Sequence, residues 1–282
     1  MRALVAVFLT LILTSANAGT LERVAETGEF RIGFVPDAPP LSFIDSSGDA
    51  AGYSIDLCRH IATNVREQLG LEHMDITYTP LVSMEERLSA IENGKVDIEC
   101  GATTVTLSRR ERVDFTLMTF ITGSAVLSKK SSPIPNISEL EGTKIAVLRG
   151  TTTEGVMRRL GEVNDVKLDL KLIASHDEGM QLLNSGKVSG YASDRAMLIG
   201  QVFRSENAQN QYEMTKYTLS FEPYGLMVPR GDTEFRLLAD RALASIYRSA
   251  RIRRIYHTWF GRYGEELSPI IEAMYQFQAV GE

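Results

Sequence analysis

Hydrophobic positions along this chain recur with two alternating periods. Residues 30–35 read as a short strand. Over 53–69 the period lengthens, with Ile55, Cys58, Ile61, Ala62, Val65 and Leu69 at helical spacing. Residues 75–81 return to alternation through Ile76, Tyr78 and Pro80, which predicts another strand. Ser83 with Glu86 three residues on is a capping-box signature for the next helix. Leu88 and Ile91 give that helix an inner face, and Asn93-Gly94 ends it. A strand over 96–100 follows. The order βαβαβ predicts an α/β protein with helices on both faces of a sheet.

A second series begins with a strand-like run over 121–127 and a Pro-containing loop over 131–135. A strand over 144–148 runs into Arg149-Gly150-Thr151-Thr152-Thr153, which opens a helix over 154–160. Strands over 168–173 and 188–192 alternate with helices over 177–183 and 196–203. The two series rhyme. Asn93-Gly94-Lys95-Val96-Asp97 closes a helix-to-strand turn in the first, and Ser185-Gly186-Lys187-Val188-Ser189 closes one in the second. Glycine after each helix suits a left-handed cap, and the repeat predicts two similar lobes. Residues 217–228 read as a return strand bent at Pro223 and Gly225, and 235–264 as a helical tail. In that tail Arg248, Arg251, Arg253 and Arg254 read as a solvated face, and Trp259-Phe260 as core.

The ends and the composition narrow the setting. Arg2, an apolar run over 3–13 and Ala16-Asn17-Ala18 make residues 1–18 read as a cleavable signal peptide, with the mature chain starting near Gly19. The apolar run is about half the roughly 20 residues that a membrane span requires. The expected product is exported and soluble. Its net charge of -6, more acidic still once Arg2 is removed, argues against nucleic acid and anionic membranes as partners. Cys58 and Cys100 match no zinc spacing, and no metal or cofactor is expected. They form either one disulfide, which an oxidising compartment permits, or two buried thiols.

Residues 101–116 carry the most chemistry. A strand feeds Gly101, then the hydroxyls of Thr103, Thr104 and Thr106, then Arg109. Such a strand-to-helix corner offers backbone N–H groups, short hydroxyls and a fixed guanidinium, the parts that hold a small carboxylate. Nothing in the stretch indicates that the anion is transformed.

Taken in order, several motifs resemble the extracytoplasmic amino-acid-binding proteins of ABC importers. They are Gly-Glu-Phe-Arg-Ile-Gly (28–33), Pro-Leu-Ser-Phe-Ile-Asp (40–45), Gly-Tyr-Ser-Ile-Asp-Leu (52–57), Asn-Gly-Lys-Val-Asp (93–97), Thr106-Leu-Ser-Arg109 with Val113-Asp-Phe-Thr116, Gly150-Thr151-Thr152, Asp194 and His257-Thr-Trp-Phe-Gly261. Glu99-Cys-Gly-Ala-Thr-Thr104, Tyr224-Gly225, His176 and the extension after Gly261 resemble the glutamate/aspartate-binding branch.

The resemblance implies a type II periplasmic-binding-protein fold, with two α/β lobes joined by two crossing strands around a ligand cleft. Lobe 1 would hold 19–121 plus 223–282, and lobe 2 would hold 122–222. It implies Arg109 and Thr104 on the ligand α-carboxylate, Thr151 and Thr152 closing from the other lobe, and Asp194 on the α-ammonium. Thr151 and Asp194 also read as ordinary helix caps, and Arg87 and His176 match positions facing the ligand side chain. Three positions depart from the family pattern: Val35 stands for an arginine, and Met84 and Ala102 for serines. Each lost charge-assisted hydrogen bond is worth about 1.5–3 kcal/mol, so the side-chain pocket is expected to take an acidic or amide group, or a less polar one.

The implied activity is capture of an L-amino acid in the periplasm by a monomer. Delivery would be to a membrane permease driven by a separate ATPase, since the chain has no Gly-x-x-x-x-Gly-Lys-Ser/Thr loop. The alternatives are a dehydratase-like enzyme on the same fold, for which no acid–base pair is visible, and a soluble amino-acid sensor.

Overall fold

A computed structural model describes residues 19–204 and 210–281; the signal-peptide reading of residues 1–18 lies outside them. The first series opens with α1 (Thr20–Thr27) and β1 (Glu29–Phe34). A small antiparallel sheet follows, β2 (Asp37–Ala38), β3 (Ser42–Ile44) and β4 (Ala50–Ala51). Then come α2 (Tyr53–Gln68), β5 (Asp75–Pro80), α3 (Met84–Glu92), β6 (Ile98–Glu99), α4 (Leu107–Arg110) and β7 (Asp114–Thr122). The second series is β8 (Ser124–Lys129), β9 (Lys144–Leu148), α5 (Thr152–Val163), β10 (Asp169–Ile173), α6 (His176–Asn184), β11 (Gly190–Asp194), α7 (Arg195–Arg204) and β12 (Tyr212–Met214). The chain returns through β13 (Glu222–Val228) and ends in α8 (Thr233–Arg248), α9 (Arg251–Phe260) and α10 (Pro269–Gln278).

The two main sheets share one plan. The first has the order β5-β1-β6-β13-β7 and the second β10-β9-β11-β8-β12. In each, three parallel strands are followed by one antiparallel strand that has crossed from the other lobe, and then by an edge strand. The rhyming turns are equivalent in detail. Lys95 N donates to Ala90 O and Lys187 N to Leu182 O, with Gly94 and Gly186 at φ 62° and 70°. The two-lobe expectation therefore holds at the level of topology and of single hydrogen bonds.

The crossing differs from the sequence reading. The strand expected over 121–127 breaks at Gly123, so that β7 and β8 belong to different sheets. A Cβ on Gly123 would lie 2.3 Å from Ser220 O, so the two crossing segments touch backbone to backbone there. The return strand begins at Glu222 rather than at 217, and the strand over 96–100 contracts to Ile98–Glu99. Ser83 caps α3 as expected, accepting from Glu86 N at 3.1 Å, while the Glu86 carboxylate returns to Val82 N.

The core of the first lobe packs α2, α8, α9 and α10 on one face of its sheet, with Tyr53, Phe120, Tyr256 and Phe260 stacked or edge-on at its centre. Cys58 and Cys100 are disulfide-bonded and join α2 to the end of β6. The tail is two helices broken near Ser249, and Arg248, Arg251, Arg253 and Arg254 are exposed as expected. Phe260 is buried, whereas Trp259 is half-buried and donates to Asp56. The last helix, α10, was not read from the sequence. Its Gln278 side chain receives a hydrogen bond from Met118 N (2.7 Å) and donates to Met118 O (2.8 Å) on the edge strand β7.

Candidate functional site

The cleft lies between the lobes and is lined by Arg87, Ala102, Thr104, Arg109, Thr151, Thr152, His176 and Asp194, together with Val35 and Met84. The structure thus brings together in one cleft every position that the sequence singled out as a candidate for ligand contact.

The two arginines are held differently. Arg87 on α3 is buried and donates from Nε to Glu99 Oε1 at 2.9 Å. Its Nη2 donates to Thr103, whose hydroxyl donates in turn to Glu99 Oε2. A Cβ on Gly101 would sit 2.2 Å from Glu99 Oε1 and 2.7 Å from Arg87 Nη2, so the ion pair needs a residue without a side chain there. Arg109 lies in the short α4, which Thr106 caps by accepting from Arg109 N. Its guanidinium donates only to main-chain oxygens, Thr104 O at 2.7 Å and Gly150 O at 3.5 Å. Among the described residues no carboxylate lies within ion-pair distance of it. Burial, with the like charge of Arg87 added, lowers its pKa to about 10.

The hydroxyls converge on a residue missed in the sequence. Glu222, at the start of the crossing strand β13, is only 2% exposed. Its Oε2 accepts from Thr104 Oγ1 and from Thr152 Oγ1, both at 2.7 Å, and its Oε1 accepts from Ser220 Oγ at 2.6 Å. Thr104 comes from the first lobe and Thr152 from the second, and their oxygens are 3.4 Å apart. The signal for Glu222 was present: one acid opening the otherwise uncharged run Pro-Tyr-Gly-Leu-Met-Val (223–228).

Thr151 is the N-cap of α5, accepting from Glu154 N and donating to Leu148 O at 2.7 Å, so its hydroxyl is committed to the helix start. Asp194 ends β11. Its Oδ1 accepts from Ser124 (3.2 Å) and Thr153 (3.1 Å), and its Oδ2 accepts from Tyr224. Burial first, and the charge of Glu222 second, push its pKa up to about 6.

The far rim carries a lobe-to-lobe contact that was also missed. Asp37, in the first lobe, accepts from His176 N at 2.7 Å and so caps α6 of the second lobe. Its main-chain oxygen accepts from Gln201 Nε2 at 2.6 Å. A Cβ on Gly200 would lie 2.0 Å from Pro39 O, so this close approach requires glycine. The His176 ring bonds Tyr191 through Nδ1, and burial lowers its pKa. No group of His, Cys, Asp and Glu suited to a metal ion occurs among the described residues, and no helix there is long and apolar enough to cross a membrane.

The chain is similar to known proteins. The family model for bacterial extracellular solute-binding proteins, family 3, matches residues 30–262. An L-glutamate/L-aspartate-binding protein of Pseudomonas aeruginosa is 32% identical over 262 residues, covering 92% of this chain and 85% of that one. A glutamate/aspartate import solute-binding protein of Escherichia coli is 28% identical over 87% of this chain and 80% of its own. Among solved structures, an ancestral arginine-binding protein bound to glutamine superposes with a TM-score of 0.73 at 30% identity, covering 83% of this chain and 98% of that one. These relatives are named for binding and import rather than for catalysis. With a matching family model over most of its length and two equivalent lobes around a polar cleft, the chain belongs to the bacterial extracellular solute-binding proteins, family 3.

Proposed function

We propose that the protein captures an L-amino acid with an acidic or amide side chain and delivers it to the membrane permease of an ABC importer. Residues 1–18 would direct export to the periplasm and be removed there. The mature monomer would hold its ligand between lobes of 19–121 plus 223–282 and of 122–222. The energy for import would come from a separate ATPase.

One observation carries the reading: Arg109 is a buried guanidinium with main-chain oxygens as its partners, in the same cleft as the buried carboxylate of Asp194. A buried cation with no carboxylate in ion-pair contact is costly, and the carboxylate of a zwitterion offsets that cost. Planar two-point contact suits Arg109 to that carboxylate, and Asp194 suits the ammonium. The first-turn N–H groups at Thr151 and Thr152 lie at a helix start and add anion donors.

Arg87, His176 and Ala102 would face the ligand side chain. With Nδ1 of His176 taken by Tyr191, Nε2 is the nitrogen left for a ligand. The names of the glutamate- and aspartate-binding relatives support an acidic side chain. The ion pair between Arg87 and Glu99 favours the amide instead, because the charge of Arg87 is already matched. Calorimetry of the mature protein against the L-amino acids tests the proposal. Micromolar or tighter binding of glutamine, asparagine, glutamate or aspartate is expected, and no heat with any amino acid overturns it.

A further inference from the structure

We propose that Glu222 decides which end of the amino acid the cleft threonines receive: by holding the hydroxyl hydrogens of Thr104 and Thr152 it makes both oxygens acceptors toward the ligand. They then suit an α-ammonium and not an α-carboxylate. The inference rests on the amino-acid reading above and deepens it.

A threonine hydroxyl has one hydrogen and two lone pairs. Thr104 and Thr152 each spend that hydrogen on the same carboxylate oxygen of Glu222, at 2.7 Å. What each oxygen can still offer the cleft is a lone pair. Glu222 itself does not line the cleft; it sits behind the two threonines, buried, with Ser220 as a third hydroxyl donor. A carboxylate accepts only, so the polarity of the two threonine hydroxyls is fixed by one side chain. The two threonine oxygens are 3.4 Å apart, close enough for one ammonium to reach both.

Asp194 lines the same cleft and is held by Tyr224, two residues beyond Glu222 on the same strand. Three acceptors are therefore gathered for one ammonium, while the donors for a carboxylate are the Arg109 guanidinium and main-chain N–H groups. The threonines belong to different lobes, and Glu222 stands on a strand that crosses between them. The full acceptor set exists only when the lobes meet.

Glu222 is thus a positioning residue, and its effect is read in discrimination rather than in affinity alone. Calorimetry compares L-glutamine and L-glutamate with their des-amino counterparts, glutaramic acid and glutaric acid, in the wild type, Glu222→Gln and Thr152→Val. The wild type is expected to prefer the amino forms strongly. Each variant is expected to shrink that preference by about tenfold or more, the loss of one to two charge-assisted hydrogen bonds, because affinity for the amino forms falls further than affinity for the des-amino acids. Equal weakening of amino and des-amino ligands, or an unchanged preference, overturns the proposal while leaving the amino-acid reading intact. A wild type that binds no amino acid removes both. If Glu222→Gln does not fold by circular dichroism, Thr152→Val and Thr104→Val decide the matter by the same ratio.

Discussion

Arg87 and Arg109 are both buried, line the same cleft, and are set in opposite ways. Around Arg87 the protein has supplied the counter-charge, with Glu99 at 2.9 Å and Thr103 completing a closed ring of donors and acceptors. Around Arg109 it has supplied carbonyl oxygens, and the carboxylates of Glu222, Asp194 and Glu99 act on it only from beyond ion-pair distance. Removing one member of a buried pair strands the other, whereas removing an unmatched ion relieves a cost. The first arginine therefore belongs to the fold as much as to the pocket, whereas the second is left open to a ligand carboxylate in the proposed reading.

The largest effect that sets the two apart is on stability. Arg87→Ala leaves Glu99 buried and uncompensated and is expected to cost about 3–5 kcal/mol in denaturant unfolding. Arg109→Met is expected to cost little or to stabilise. A larger loss for Arg109→Met than for Arg87→Ala would break the comparison.

Binding should show the reverse. Arg109→Met is expected to weaken every amino acid alike by about a hundredfold or more, in keeping with two charge-assisted hydrogen bonds. Titration of two ligands with different side chains checks that uniformity. A next, smaller effect concerns closure. Gly200→Ala places a Cβ against Pro39 O, so the lobes cannot seat fully. An affinity loss of about tenfold with an enlarged radius of gyration for the ligand complex in X-ray scattering is expected. Unchanged scattering and affinity would show that the Asp37 rim does not contribute.

The mildest effect is that of pH, through Asp194. An ammonium beside it favours the ionised form, so binding releases a proton from a group that titrates near 6. Affinity is then full above about pH 6 and falls below it, by up to about tenfold per pH unit. The stability of the free protein runs the other way. A carboxyl raised in the folded state contributes stability that is fully present below about pH 4 and is lost as pH rises through about 6. Calorimetric titrations between pH 5 and 8 and denaturant unfolding between pH 4 and 7 measure the two arms. Parallel trends would indicate that Asp194 does not meet the ammonium.

Much of this was legible in the sequence because it is local. The βαβ order, the Gly-Lys turns after α3 and α6, the cap at Ser83 and the Thr106-to-Arg109 corner are each written within a few residues. The rest depends on distance along the chain. Glu222 meets Thr104 across 118 positions and Thr152 across 70, and no local pattern reports that. The pairing of Arg87 with Glu99 could not be read because Glu99 lies on another element, and only the packing of α3 on β6 brings the two together. The break at Gly123 was hidden because apolar residues continue on both sides of it, and only the approach of Ser220 requires it.

The hydrogen bonds between Gln278 and Met118 have a consequence for self-association of the molecule. β7 is the outer strand of its sheet, and a bare outer strand is a template for pairing with another copy. A single amide side chain here imitates the missing neighbour, supplying one acceptor and one donor at the spacing of a strand. Loss of the last helix would therefore surface as self-association before it surfaced as loss of ligand capture, since no residue of that helix reaches the cleft.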